Sequence, residues 1–399
     1  MKKLLLLGGT RYLVPVIERA KKRGIHTITC DYLPNNIAHK YSDEYHNISI
    51  VETDKVLALA EALQVDGVMS FACDPGVVPA AYVAEKLGLP GPGPFESVAL
   101  LQNKGRFRAF LTEHGFNVPR AASFQRTDDV MDKIRDFRFP VIVKPTDSAG
   151  SKGVSKVLER EQLDAAIERA LGSSRKGEFI IEEFIDSLGY SSDSDCFSVD
   201  GELKFTSFSS QRFDKSAENP YTPAAYSWPS SMTGEQEQYL SSELQRLIRL
   251  LDLKTSLYNV ETRIGQDGKP YIMEVSPRAG GNRLAEIVHY ATGTDLIEKS
   301  IQAAMGEPVD EHFSNELNGY WSEVILHADQ AGAFQDVWVE ESIRPHVVET
   351  DLWVARGVGV PAFRAANDAI GTLVLRFDDL EKMNHVMEQF SDYVKVIVK

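Results

Sequence analysis

Residues 261–275, ETRIGQDGKPYIMEV, constrain this chain more than any other stretch. Two alternating runs flank an Asp-Gly pair, a strong hairpin signal because that dipeptide accepts the positive φ of a two-residue turn. With Asp267 and Gly268 as the turn, Gln266 opposes Lys269. The same register carried outward sets Glu261 opposite Glu274 and Asn259 opposite Ser276. Opposed side chains stand on one face of a sheet. Two carboxylates ~5 Å apart at an effective dielectric near 20 repel by about 3 kcal/mol. Three arrangements relieve this: one carboxyl keeps a proton, a basic side chain bridges the pair, or a divalent cation sits between them. Mg²⁺ takes oxygen ligands, often one or two carboxylates together with substrate phosphates. A solvated hairpin face, with the charges apart in water, accounts equally well for these residues alone.

The next residues narrow the choice. The strand runs into SPRAGGN, which sets Arg278 at the strand end and Gly280 and Gly281 just beyond. A guanidinium there is placed to bind a transferring phosphoryl group. Adjacent glycines can present backbone N–H groups to an anion.

A second glycine-rich loop lies in FPVIVKPTDSAGSKGVSKVL, residues 139–158. It lacks the Walker pattern, in which such a loop opens a helix. Val141 to Lys144 read as a strand stopped by Pro145, and Val154 to Leu158 as another, so the loop joins strand to strand.

Composition sets outer bounds. The 399 residues suffice for two or three domains, and 43% hydrophobic with 25% charged content is ordinary for a globular chain. A net charge of −15 argues against a nucleic-acid surface but leaves room for a nucleotide pocket with a few local cations. Cys30, Cys73 and Cys196 are widely spaced, which points to free thiols in a reducing compartment rather than to zinc or disulfides. No apolar run reaches the ~18 residues of a membrane helix, and Leu4 to Leu7 is too short for a signal peptide. A cytoplasmic location is expected.

The N-terminal segment alternates strands with amphipathic helices, one from about Val14 to Lys22, which implies a parallel sheet covered by helices. Gly8-Gly9-Thr10 lacks the full dinucleotide fingerprint and reads as a tight turn. GLPGPGPFE, 88–96, reads as a linker. A polar, proline-interrupted stretch covers 211–231 and a long helix 234–252; strand–helix–strand closes the chain. The expected units are an N-terminal parallel α/β domain (1–96), a central domain (97–310) with a nucleotide-covering part (119–185), and a small C-terminal α+β lid (311–399). Asp74 follows a predicted strand's C-terminal end, where open α/β sheets place ligands. It is a candidate substrate contact, beside the alternative of a turn-forming aspartate.

Together NKGRFRAFLTEHGFNVP, FPVIVKPTDSAGSKGV, FIIEEFI, VETRIGQDGKPYIMEVSPRAGGN and ATGTDLIEKSI, in that order, resemble the ATP-grasp superfamily, specifically its carboxylate–amine ligase type. The resemblance implies an ATP-grasp fold for the central domain, with ATP and Mg²⁺ (or Mn²⁺) as cofactors. It implies phosphate contacts from Lys104 and Lys144, and a loop over the phosphates from Asp147, Ser148, Gly150, Ser151, Lys152 and Gly153. It implies an adenine hinge at Glu183 and Ile185 with Glu182 nearby. Metal binding falls to Glu261 and Glu274, with Ser276 where the family usually has asparagine and Asn259 as a possible complement. Arg278 matches the catalytic arginine, and Gly280, Gly281 and Asn282 a stretch that meets the acid substrate. The family's ribose-binding acid is missing, since Leu188 and Gly189 stand there; Asp186 is a substitute. None of His26, His114, His289 and His327 falls in a motif.

The resemblance implies an ADP-producing ligase that activates a small carboxylate, an amino acid in the first instance, and joins it to an amine. A purine-biosynthesis or carbamoyl-phosphate-type enzyme and a catalytically silent nucleotide-binding protein are the alternatives. The expected partners are small-molecule acid and amine substrates and a second copy of the chain in a homodimer, with neither nucleic acid nor membrane. Gln211 and Arg212 would line the acceptor pocket.

Overall fold

The computed structural model describes residues 1–126, 129–148, 152–217 and 219–399. Gly150 and Ser151 of the expected phosphate loop lie outside the described residues. Near the N-terminus, strand Lys3–Leu7 lies between His26–Cys30 and Gly67–Ser70, with Glu44–His46 at the edge, all parallel. Leu4 to Leu7 are fully buried, as a strand covered on both faces requires. Helix Val14–Lys22 falls where the sequence pattern places it.

Helix Asp74–Leu87 starts at the C-terminal end of that sheet, and Gly76 sets how close it comes. A Cβ there would lie 2.6 Å from Ser70 Oγ and 3.0 Å from Leu7 Cβ. Without one, the first helical turn rests on the strand ends and carries Asp74 over the sheet's edge.

The covering sheet has the order Ala121–Gln125, Glu178–Glu183, Val141–Pro145, Ser155–Val157, all antiparallel. The glycine-rich loop does join strand to strand. Glu178–Glu183 is an interior strand, with neighbours on both sides.

The central sheet runs Glu202–Thr206, Ser192–Val199, Ser256–Ile264, Pro270–Ser276. Glu261 opposes Glu274 and Asn259 opposes Ser276, as the hairpin argument predicts. The turn itself differs from the expected two residues. Gly265 pairs with Lys269 through a 2.9 Å N–H···O bond, so the loop is Gln266-Asp267-Gly268, with Gly268 at φ +76. A glycine in the left-handed region closing a three-residue loop is the next commonest hairpin form. The one-residue offset is undone by a bulge between Glu261 and Thr262, beyond which Thr262 faces Ile272 and Arg263 faces Tyr271.

The stretch 211–231 is not a plain loop. Ser210–Phe213 and Pro223–Trp228 join Tyr320–Leu326, Gly371–Phe377 and Val347–Leu352 in one sheet, so the C-terminal unit is not confined to residues after 310. The last strand, Val394–Val398, pairs with Gly332–Val339 in a separate small sheet. The free cysteines are Cys30, Cys73 and Cys196. Among the described residues no helix is long and apolar enough to cross a membrane.

Gly76→Ala should destabilise the protein by about 1–3 kcal/mol through overpacking. Chemical denaturation measures this; an unchanged unfolding midpoint would contradict the close approach.

Candidate functional site

Three strands of the central sheet bring acids into one row. Asp193 opposes Glu261, and Glu261 opposes Glu274. The next row is Asp195, Asn259 and Ser276. Cations answer the first row. Lys104 Nζ lies 3.2 Å from Glu274 Oε2, and Arg263 Nη2 lies 3.4 Å from Glu261 Oε1. Lys104 opens helix Lys104–Glu113, whose N-cap Asn103 accepts the Arg106 N–H. Burial alone would lower its pKa, but Glu274, with Asp74 and Glu261 behind it, holds the ammonium charged and its pKa raised. The same ammonium donates to the Ser148 carbonyl at 3.1 Å, which ties the glycine-rich loop to the acid row.

Lys144 belongs to a second cluster. Glu182 lies fully buried between Lys144 Nζ and Arg108 Nε, at 2.6 Å from each. Burial pushes the Glu182 carboxyl up, but Arg108 and Lys144 outweigh it and hold the group down at about 2. Lys144 is lowered, first by burial, with Glu182 opposing and Arg108 and Lys104 reinforcing. The Glu182 carboxylate, expected beside the purine, is thus engaged in orienting Lys144. Arg108 is absent from the sequence-based site. Its Nη1 and Nη2 are buried without a partner among the described residues, beside a cleft of about 710 Å³ lined in part by Asn103, Ser123, Thr146 and Ile180. That volume suits a small-molecule ligand.

Several expected contacts are engaged elsewhere. Asp147 accepts from Ser174 Oγ and from the Arg175 and Lys176 N–H groups, so it anchors the loop's base rather than facing the phosphates. Lys152 is exposed, and Gly153 takes φ +74. Glu183 holds Arg138, and its N–H donates to the Arg120 carbonyl. The Ile185 carbonyl accepts from Arg263.

Asp74 is not turned toward a substrate. Its carboxylate takes Arg278 Nε and Nη2 at 2.8 and 2.9 Å and the Ser276 hydroxyl at 3.0 Å. Burial raises the Asp74 pKa, but Arg278 reverses this and lowers it. Ser276 also accepts from Gln102 Nε2 at 2.7 Å, so its hydroxyl is committed away from the acid row. The Asn259 amide donates to Asp193 Oδ1 at 2.6 Å and turns from Ser276 to the opposite strand. The Gly280 N–H donates to Asp195 Oδ1 at 2.7 Å and is unavailable to an anion, while a Cβ at Gly281 would meet open space. Asn282, in left-handed backbone at φ +53, accepts from Tyr12 Oη–H and reaches Tyr226.

Asp193 and Asp195 were missed by the sequence reading. The alternating SSDSDC, which lies on a largely buried interior strand, was the available signal. Burial holds Asp193 up at about 6 and Asp195 at about 7. Tyr226 donates to Asp193 Oδ2 at 3.1 Å.

The donor set fits a hard divalent cation. Glu261 and Glu274 are adjacent, half-buried carboxylates with the site open on one side for water or phosphate oxygens. The Ser276 hydroxyl, expected in that set, donates to Asp74 and accepts from Gln102, which leaves one lone pair.

The family model for the ATP-grasp domain matches residues 137–286. The chain is 25% identical to the uncharacterized protein y4rH of Sinorhizobium fredii over 79% of this chain, and spans 65% of that protein, just under two thirds. It is 25% identical to the D-alanine--D-alanine ligase of Cupriavidus metallidurans, over 66% of this chain and 89% of the ligase. Among solved structures, the L-amino acid ligase of Bacillus licheniformis superposes with a TM-score of 0.81 at 20% identity, covering 100% of this chain and 99% of that one. The chain is thus similar to ATP-grasp proteins over residues 137–286 and in its fold.

The raised carboxyls predict a pH effect. The folded protein holds these two protons more tightly than the unfolded chain, whose aspartates titrate near 3.9. Their contribution to stability therefore falls as pH rises from about 4 to 7. Between about pH 5 and pH 8, the metal-free wild type should lose more thermal stability than the double variant Asp193→Asn/Asp195→Asn. Equal losses would contradict the burial argument.

Proposed function

We propose that this chain is an ATP-dependent ligase that activates a small-molecule carboxylate as an acyl phosphate and joins it to an amine. The observation that carries the reading is the row Asp193–Glu261–Glu274 with Lys104 bonded to its end. Acids so crowded, beside a lysine that also touches the loop, suit a divalent cation and a polyphosphate. The D-alanine--D-alanine ligase and L-amino acid ligase likenesses support an amino acid as the acid substrate.

The chemistry runs in two steps. A substrate carboxylate oxygen attacks the γ-phosphorus of ATP, the bond to the β-phosphate oxygen breaks, and ADP leaves. An amine nitrogen then attacks the acyl carbon, phosphate departs, and the nitrogen loses a proton. A divalent cation on Glu261 and Glu274 would neutralise charge on the phosphates. Positioning and charge neutralisation are most of what phosphoryl transfer asks of a protein.

Each side chain then has a task. Lys104, paired with Glu274 here, would turn to the phosphates when Glu274 holds a cation, so charge balance would be kept. Lys144, held by Glu182, which Arg108 braces from its other side, reaches the same phosphates. Ser148, Lys152 and Gly153 belong to the covering loop, and the Glu183 C=O and Ile185 N–H would meet the purine edge. Arg278, fixed by Asp74 at the end of the first domain, stabilises charge on the transferring group.

Glu274→Gln should nearly abolish amine-dependent ADP release, and wild-type turnover would remove the metal role. Arg278→Ala should cost at least ~100-fold in kcat/KM, about 2.7 kcal/mol. A loss below about tenfold would contradict its place at the transferring group.

A further inference from the structure

Among the described residues, nothing holds the Glu323 carboxylate. It is fully buried in the C-terminal sheet, and neither oxygen has a hydrogen-bond partner among the described residues. An isolated buried carboxylate costs several kcal/mol, so such groups are normally paired or removed. Burial pushes its pKa well up, with Arg283 opposing.

Its position gives the missing partner an address. Glu323 stands opposite Tyr226 on the neighbouring strand, and opposed side chains lie about 5 Å apart. Tyr226 binds Asp193, the first member of the acid row, so Glu323 is one side chain removed from that row. Tyr12 closes the group from the N-terminal domain: its hydroxyl reaches Asn282, and burial first, then Glu323, raise its pKa.

The nearby cation is not available. A guanidinium has five N–H donors. Those of Arg283 are directed to Glu286, Glu349 and Thr372, with Asp351 at 3.7 Å. Three acids already surround one base, so the environment calls for a cation. It is unsuited to a metal ion, which needs several oxygen or nitrogen ligands. Apart from Tyr226, the flanking residues Trp321, Ile325 and Val374 are without oxygen side chains. One carboxylate with aromatic faces beside it suits an ammonium.

We propose that Glu323 seats a protonated amino group of the acid substrate, which makes that substrate an amino acid. The proposal rests on the ligase reading above. The group held here is the activated acid's amine rather than the attacking one. A nitrogen kept charged against a carboxylate has no lone pair for the acyl carbon. The same contact stops that amine from competing as a nucleophile.

The test pairs amino acids with their 2-hydroxy analogues, and reads ADP release and thermal stabilisation in the presence of MgADP. Wild-type protein should prefer the amino acid by at least ~100-fold in kcat/KM, because a site built for a polar group rejects the analogue without it. Glu323→Gln and Glu323→Leu should raise the amino-acid KM and shrink that preference below about tenfold, while melting no lower than wild type. Equal use of both acids by the wild type, or a preference intact in both variants, overturns the ammonium seat and leaves the ligase standing. Variants that melt lower and lose both acids equally would assign Glu323 a structural role and also overturn it. Should no acid release ADP, Glu323-dependent stabilisation by amino acids alone would keep the seat and sink the ligase; its absence would sink both.

Discussion

Crowding of like charge on the central sheet governs the rest of the molecule. Asp193, Glu261 and Glu274 stand at neighbouring positions on three strands, where opposed acids destabilise a sheet. The protein answers with bases drawn from separate parts of the chain: Lys104 from the helix after the linker and Arg263 from the hairpin itself. Arg278 lies beside the row and is held by Asp74, which the N-terminal domain supplies. Gly76 lets that helix come close enough for Asp74 to reach. The packing of the first domain and the aim of the arginine are therefore one problem.

Charge is also zoned. Lys104, Lys144 and Arg108 gather where the covering sheet faces the acid row. From Asp193, the far member of the row, through Asp195 to Glu323 runs an acidic end whose carboxyls are pushed up by burial. On the proposed reading, a polyphosphate would be drawn to one end and a cationic group to the other. An amino acid has one group for each.

How much of this could be read from the residues follows from what local sequence encodes. The hairpin was legible because a turn dipeptide lies between alternating runs, and the Glu261–Glu274 pairing is as expected. The route was different: a longer turn shifts the register by one, and a bulge shifts it back. Asp193 was not legible, since its pairing with Glu261 joins strands far apart in the chain. Arg108 and Glu182 are likewise distant residues that meet only through packing of a helix on the covering sheet. Strand Ser210–Phe213 read as loop because it buries Ser210, Gln211 and Arg212 instead of apolar side chains, and Pro223–Trp228 because prolines bracket its short buried run. Asp74 and Ser276, singled out as a substrate contact and a metal ligand, are bonded to each other, and Asp74 also to Arg278.

Crystals of the protein grown with Mn²⁺ and ADP, measured for anomalous scattering, address the central claim directly. The account predicts one manganese peak within about 2.5 Å of carboxylate oxygens from both Glu261 and Glu274, with the Lys104 ammonium moved onto phosphate. Manganese bound elsewhere, or Lys104 still paired with Glu274 beside a bound nucleotide, would contradict it.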